Sequence, residues 1–95
     1  MKLSTAIRKA SKKIYLSPVR NEWKIVRHHE EGYVTESQPF PYAQARAYRK
    51  EAVAEEALIM LGVDSEDAMM VAFVHQEGTA EELAQRVIDK CEAGV

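Results

Sequence analysis

A single cysteine, Cys91, stands among the 95 residues. It excludes an intramolecular disulfide and points to a reducing, cytoplasmic compartment. The four glycines are scattered, so they build no phosphate-cradling loop. No H-x3-H or C-x2-C spacing occurs. The adjacent pair His28-His29 would point to opposite faces of a strand, a poor start for a metal site. Cys91 falls on the apolar stripe of a helix, where cysteine acts as a small hydrophobe. The serines and threonines lack the glycine pattern of a nucleophile elbow. The longest unbroken apolar run, Ala68 to Val74, has seven residues, far short of a membrane span. No apolar stretch of secretory-signal length opens the chain. Acid is missing before Glu22. That basic start has the composition of a transit peptide, but it runs straight into a strand pattern and is read as part of the fold. These absences lead to the expectation of a non-enzymatic protein with no metal, no cofactor and no membrane segment.

What is present is charge, unevenly placed. Residues 1–50 hold eleven Lys/Arg and four Asp/Glu, and residues 51–95 hold two and eleven. The formal net charge of −2 therefore joins a half at +7 to a half at −9. Such asymmetry points to an anionic partner, to charge-complementary self-association, or to neutralisation inside the fold.

The longest helical signal runs from Tyr42 to Leu61, with six alanines among other good helix formers. Pro39 and Pro41 precede it and Gly62 follows it, which suits a start and a stop. Ala43, Ala47, Ala54, Leu58 and Leu61 form one stripe, widened by Val53, Ala57 and Met60. Ala45, Tyr48, Ala52 and Ile59 form a second. One stripe is expected on a sheet and the other on the C-terminal helix; the sharper alternative makes Tyr48 and Ile59 a partner surface. The charges oppose the helix dipole, with Arg46, Arg49 and Lys50 early and Glu51, Glu55 and Glu56 late. Glu30 and Glu31, or an anionic partner, are candidates to offset this.

Before this helix, residues 3–12 read as a short helix, capped by Ser4 or Thr5, with Leu3, Ile7 and Ala10 on one face. Strand signals follow at Ile14–Leu16, Glu22–His28 and Gly32–Glu36, with turns at Ser17-Pro18, Arg20-Asn21 and Glu30-Glu31-Gly32. In the second strand Trp23, Ile25 and Arg27 share one face, and Lys24, Val26 and His28 the other. Ser37–Pro41 is a stiff linker with Phe40 as a buried anchor. After Gly62, Asp64-Ser65-Glu66-Asp67 looks like a helix start, yet Met69–His75 is apolar and of strand length; it is read as a fourth strand. Thr79-Ala80-Glu81-Glu82 is a capping box opening a last amphipathic helix that Gly94 ends.

The order α-β-β-β-α-β-α predicts an α+β single domain over residues 1–95. An antiparallel meander of three to four strands is covered on one face by two helices, with a short N-terminal helix. The alternative makes residues 65–77 helical. The Trp-bearing strand, the Gly-aromatic strand, the Pro/Phe linker and the Ala/Glu-rich helix resemble a recurrent small bacterial and phage module of unknown function. The resemblance covers about residues 14–75 and implies a β-β-β-α-β order, without functional residues.

Recognition is left as the expected role. The leading expectation is a small regulator or inhibitor, of phage or prophage type, that binds a protein partner. Its candidate contact residues are Trp23, Lys24, Arg27, Tyr33, Arg46, Tyr48, Arg49 and Lys50, types enriched at interface hot spots or able to meet acid. A second expectation is nucleic-acid binding. Lys12, Lys13, Arg20, Lys24, Arg27, Arg46, Arg49 and Lys50 would meet phosphates, with Tyr15 or Trp23 stacking on bases. The acidic second half opposes it. A third is a homodimer in which a basic face meets an acidic one.

Overall fold

A computed structural model describes residues 1–29 and 32–93. Helix α1 (Leu3–Lys13) leads directly into strand β1 (Ile14–Val19). Strands β2 (Glu22–His28) and β3 (Val34–Glu36) complete an antiparallel sheet of order β1-β2-β3. Helix α2 (Tyr42–Met60), the one-turn helix α3 (Ser65–Ala68), a 3₁₀ segment (Met69–Phe73) and helix α4 (Ala80–Ala93) follow. The fold is α+β, with helices packed on one face of the meander. None of the described helices is long and apolar enough to cross a membrane.

The fourth strand expected at Met69–His75 is not formed. In its place the buried side chains are Ala68, Val71 and Val74, while Met69 and Phe73 are exposed. Burial at every third residue is the 3₁₀ period; a strand buries every second one. Glu66 and Asp67 lie in the first turn of α3, where carboxylates favour helix, and the chain continues helical from there. The alternative of a helical 65–77 is the closer description, and the last strand implied by the resemblance is corrected with it.

Local chemistry explains most other element ends. The β1–β2 hairpin turns on Arg20-Asn21 alone, with Arg20 at φ +57°. The expected turn at Ser17-Pro18 is instead part of β1. β2 directs the backbone groups of Trp23 to Phe40, and the carbonyl of Ile25 to Ser37. Its even residues therefore face β1, and Ile14, Leu16 and Pro18 turn their backbone to the free edge. Proline is tolerated there because it has no N–H to lose. α2 ends in a Schellman motif: Gly62 at φ +90° donates to Ile59, and Val63 donates to Leu58. α1 begins at Lys2 without a side-chain cap, so the expected Ser4 or Thr5 cap is not used. The roles expected for Glu30, Glu31 and Gly94 lie outside the described residues.

Helix α2 is the shared wall of two apolar clusters. Val53 and Ala57 pack with Ala6 and Ala10 of α1, Ile14 of β1 and Ile25 of β2. Ala54 and Leu58 pack with Ala68, Val71 and Val74 and with Leu83, Ala84 and Val87 of α4. The expected stripe holds in the C-terminal half of α2 but not at its start, where Ala45 is buried and Ala43 and Ala47 are exposed. Tyr48 and Ile59 are both exposed.

Candidate functional site

Five cations of the first half of the chain meet three different fates. Arg27 points from the sheet toward α2, as its strand face requires. Its Nη1 donates to Glu55 Oε1 at 2.9 Å and its Nη2 to Glu56 Oε2 at 2.7 Å. Glu56 is almost fully buried, and the Arg27 side chain is only 16% exposed. Burial works against the arginine's charge, but the hydrogen bonds and charges of Glu56 and Glu55 outweigh it and hold its pKa above the ordinary value. Arg27 Nε is buried without a partner. Lys24, on the open face of the sheet, pairs with Glu36 at 3.1 Å.

Arg46, Arg49 and Lys50 meet no carboxylate in an ion pair among the described residues. Arg49 donates from Nε to the carbonyl of Ile14 and from Nη2 to that of Ser11. It thus closes the end of α1 onto α2, a favoured place for a cation. Lys50 Nζ donates to the carbonyls of Gln76 and Gly78 at 2.6 and 3.1 Å. Arg46 lies over the ring of Tyr42, 5.7 Å from its centroid. Hydrogen bonds to carbonyls fix the direction of a cation without cancelling its charge.

These three residues line an open groove of about 770 Å³. Its base is the first half of α2, where Ala43 and Ala47 line it beside the cations. One side is the free edge of β1 at Tyr15 and Leu16, and the other is Gly78, Thr79 and Ala80 at the start of α4. Tyr15 and Tyr42 stand half-exposed along it. The α4 side is firm because the capping box is formed: Thr79 N–H donates to Glu82 Oε1, and Glu82 N–H donates to Thr79 Oγ1. The Thr79 N–H and hydroxyl hold the Glu82 carboxyl below its usual range, helped by Arg86 and Lys50. The backbone N–H and C=O of Leu16 turn toward the groove, by the register of β1.

The structure gathers some of the predicted contact residues and scatters the rest. Arg46, Arg49 and Lys50 come together. Trp23 lies against Tyr42 and Phe40 against Tyr48, with ring centroids 5.6 and 4.8 Å apart. Trp23 and Tyr48 therefore join an aromatic cluster at the start of α2. Tyr33 stacks on His29 near the β2–β3 turn, with centroids 4.1 Å apart, away from this cluster. Arg27 turns inward and is ion-paired with Glu55 and Glu56, and Lys24 is paired with Glu36. The two adjacent histidines diverge, His28 toward Tyr15 and His29 toward Thr35.

Sequence reasoning missed Gly78, Thr79 and Ala80 as a side of the groove, and Glu55 and Glu56 as the partners of Arg27. The first could not be read, because the chain reversal after the 3₁₀ segment brings that wall in. The second left a signal: a basic residue on the apolar face of β2 needs acid on whatever covers it. Comparison with protein-family models, with curated proteins and with solved structures found no match.

Proposed function

We propose that this protein is a binding module without chemistry of its own, and that its groove takes an acidic, extended segment of a partner protein. The observation that carries the reading is the convergence of Arg46, Arg49 and Lys50 on one groove with no carboxylate ion-paired to them among the described residues. A carboxylate entering it meets fixed positive charge at small reorganisation cost. The free backbone pair of Leu16 suits a peptide, which can add to a sheet edge. Tyr15 and Tyr42 offer amphipathic faces to side chains between the acids. Pro18 and Arg49 limit any added strand to a short one.

Nucleic acid is the less favoured occupant. A phosphate chain needs a cationic track several nucleotides long. Arg46 to Lys50 spans about 6 Å at 1.5 Å per residue, and Arg27 and Lys24 do not extend it.

The test compares the wild type with Arg46→Glu, an exposed position whose guanidinium lies over the ring of Tyr42. Fluorescence anisotropy is read with labelled acidic peptides and with labelled single-stranded DNA. The expected result is peptide binding that weakens on charge reversal and with rising salt. Peptide binding unchanged in Arg46→Glu, or DNA bound more tightly than any acidic peptide, overturns the reading.

A further inference from the structure

The groove has a direction. At one end Arg49 takes the carbonyl of Ile14. At the other, Trp23 pairs with Pro18 across the sheet and lies against the ring of Tyr42. β1 and the first half of α2 therefore run side by side in opposite directions, and an extended segment in the groove runs along both. Leu16 turns its side chain to the apolar cluster that α2 covers, while Tyr15 turns to the other face, against His28. A residue added beside Leu16 places its side chain on the same face as Leu16, toward α2. The residues on either side of it point the way of Tyr15.

The three cations are not equal. Arg49 donates to the carbonyls of Ile14 and Ser11 and closes one end. Lys50 holds the carbonyls of Gln76 and Gly78, which leaves one of its three N–H donors. Arg46 is exposed, and its guanidinium over Tyr42 donates to no acceptor among the described residues. Arg46 and Lys50 are four residues apart, about 6 Å along the axis of α2 at 1.5 Å per residue. Side chains on one face of an extended chain repeat every second residue, about 6.6 Å apart. The two spacings match. We propose that the groove reads two acids with one apolar residue between them. This rests on the groove taking an acidic extended segment and names the pattern of that segment. The acid beside Arg46 meets a fork of donors and the acid beside Lys50 a single one, so the first carries more of the affinity. The middle side chain falls on the side of Tyr15. Adjacent acids, or acids two residues apart from touching the same face, would send one of the pair away from α2. A helix with acids four positions apart has the same 6 Å repeat, but its backbone is bonded internally and leaves Leu16 unpaired.

Fluorescence anisotropy tests this with labelled peptides of equal length and composition. Each carries two glutamates, placed adjacent or with one, two or three residues between them. The peptide with one residue between its acids is expected to bind about tenfold more tightly than the others. Its two glutamates are then replaced by glutamine one at a time, against the wild type and against Arg46→Gln. In the wild type each replacement should weaken binding. In Arg46→Gln one of the two replacements should lose its effect while the other keeps it. Equal affinity at every spacing overturns the pattern and leaves the acidic-segment proposal standing, because composition alone then decides. Tightest binding with three residues between the acids overturns it in favour of a helical occupant. So does an Arg46→Gln protein in which both replacements keep their effect, or both lose it. No binding of any of these peptides overturns the pattern and the acidic-segment proposal together.

Discussion

Arg27 sits under α2 with two acids and one positive charge among apolar neighbours. A buried ion group of this kind stabilises less than its short distances suggest, because each ion has lost its water. Breaking it is another matter. Arg27→Met leaves Glu56 buried and unpaired, and is expected to cost about 3–5 kcal/mol in urea unfolding. Adding Glu56→Leu should recover most of that loss, since Glu55 is partly exposed and can turn to water. A double variant as unstable as the single one would show that Arg27 acts by packing alone. Glu51 has the opposite fault. Burial, opposed by Lys50 and assisted by Glu55, raises its pKa above the ordinary value. A carboxyl with a raised folded pKa binds its proton more tightly folded than unfolded. Its ionised form therefore lowers stability above the folded pKa, and the penalty fades as pH falls below the unfolded value. Glu51→Gln should raise stability near neutral pH by a few tenths of a kcal/mol, roughly the scale of partly exposed charges. Parallel melts should converge in acid.

At the scale of elements, the ends that depend on near neighbours were legible. Thr79 and Glu82 are three residues apart and form the capping box that their types imply. Thr79→Ala should cost about 1 kcal/mol. Hydrogen exchange should rise first in the opening turn of α4, and affinity in the groove should fall with it because that turn is one of its sides. Strand β2 was legible from its alternation, and the end of α2 from Gly62. Met69–Phe73 was not. An apolar run of that length fits a buried strand or a buried helix equally well. Packing against Leu58 and Leu83 gives Val71 and Val74 their burial, and no pattern within the run announces that contact. Ala43 and Ala47 show the same limit, since they share a stripe with Leu58 yet line the groove, because no described residue covers the start of α2 on that side.

Over the whole molecule, the division into a basic and an acidic half resolves into unequal parts. One portion is neutralised inside, where Arg27 meets Glu55 and Glu56. Another is neutralised across the open sheet face, where Lys24 meets Glu36. Arg46, Arg49 and Lys50 are gathered in the groove. Salt should therefore act on the groove. Affinity for acidic peptides should fall steeply as ionic strength rises and the screening length shortens. Anisotropy along a salt series checks this, and an affinity that does not move with salt would mean that charge does not carry the contact.

By itself the sequence determined the end of α2 at Gly62, the capped start of α4, the faces of β2 and the lopsided charge, because each depends on residues a few positions apart. Only the tertiary structure decided which cations are inside and which are offered outward. Arg27 meets its acids 28 and 29 residues further along; Arg49 reaches back 38 residues to Ser11. Contacts at such separations are set by how the helices pack on the sheet; the face of Arg27 calls for an acid, but only that packing decides which one meets it.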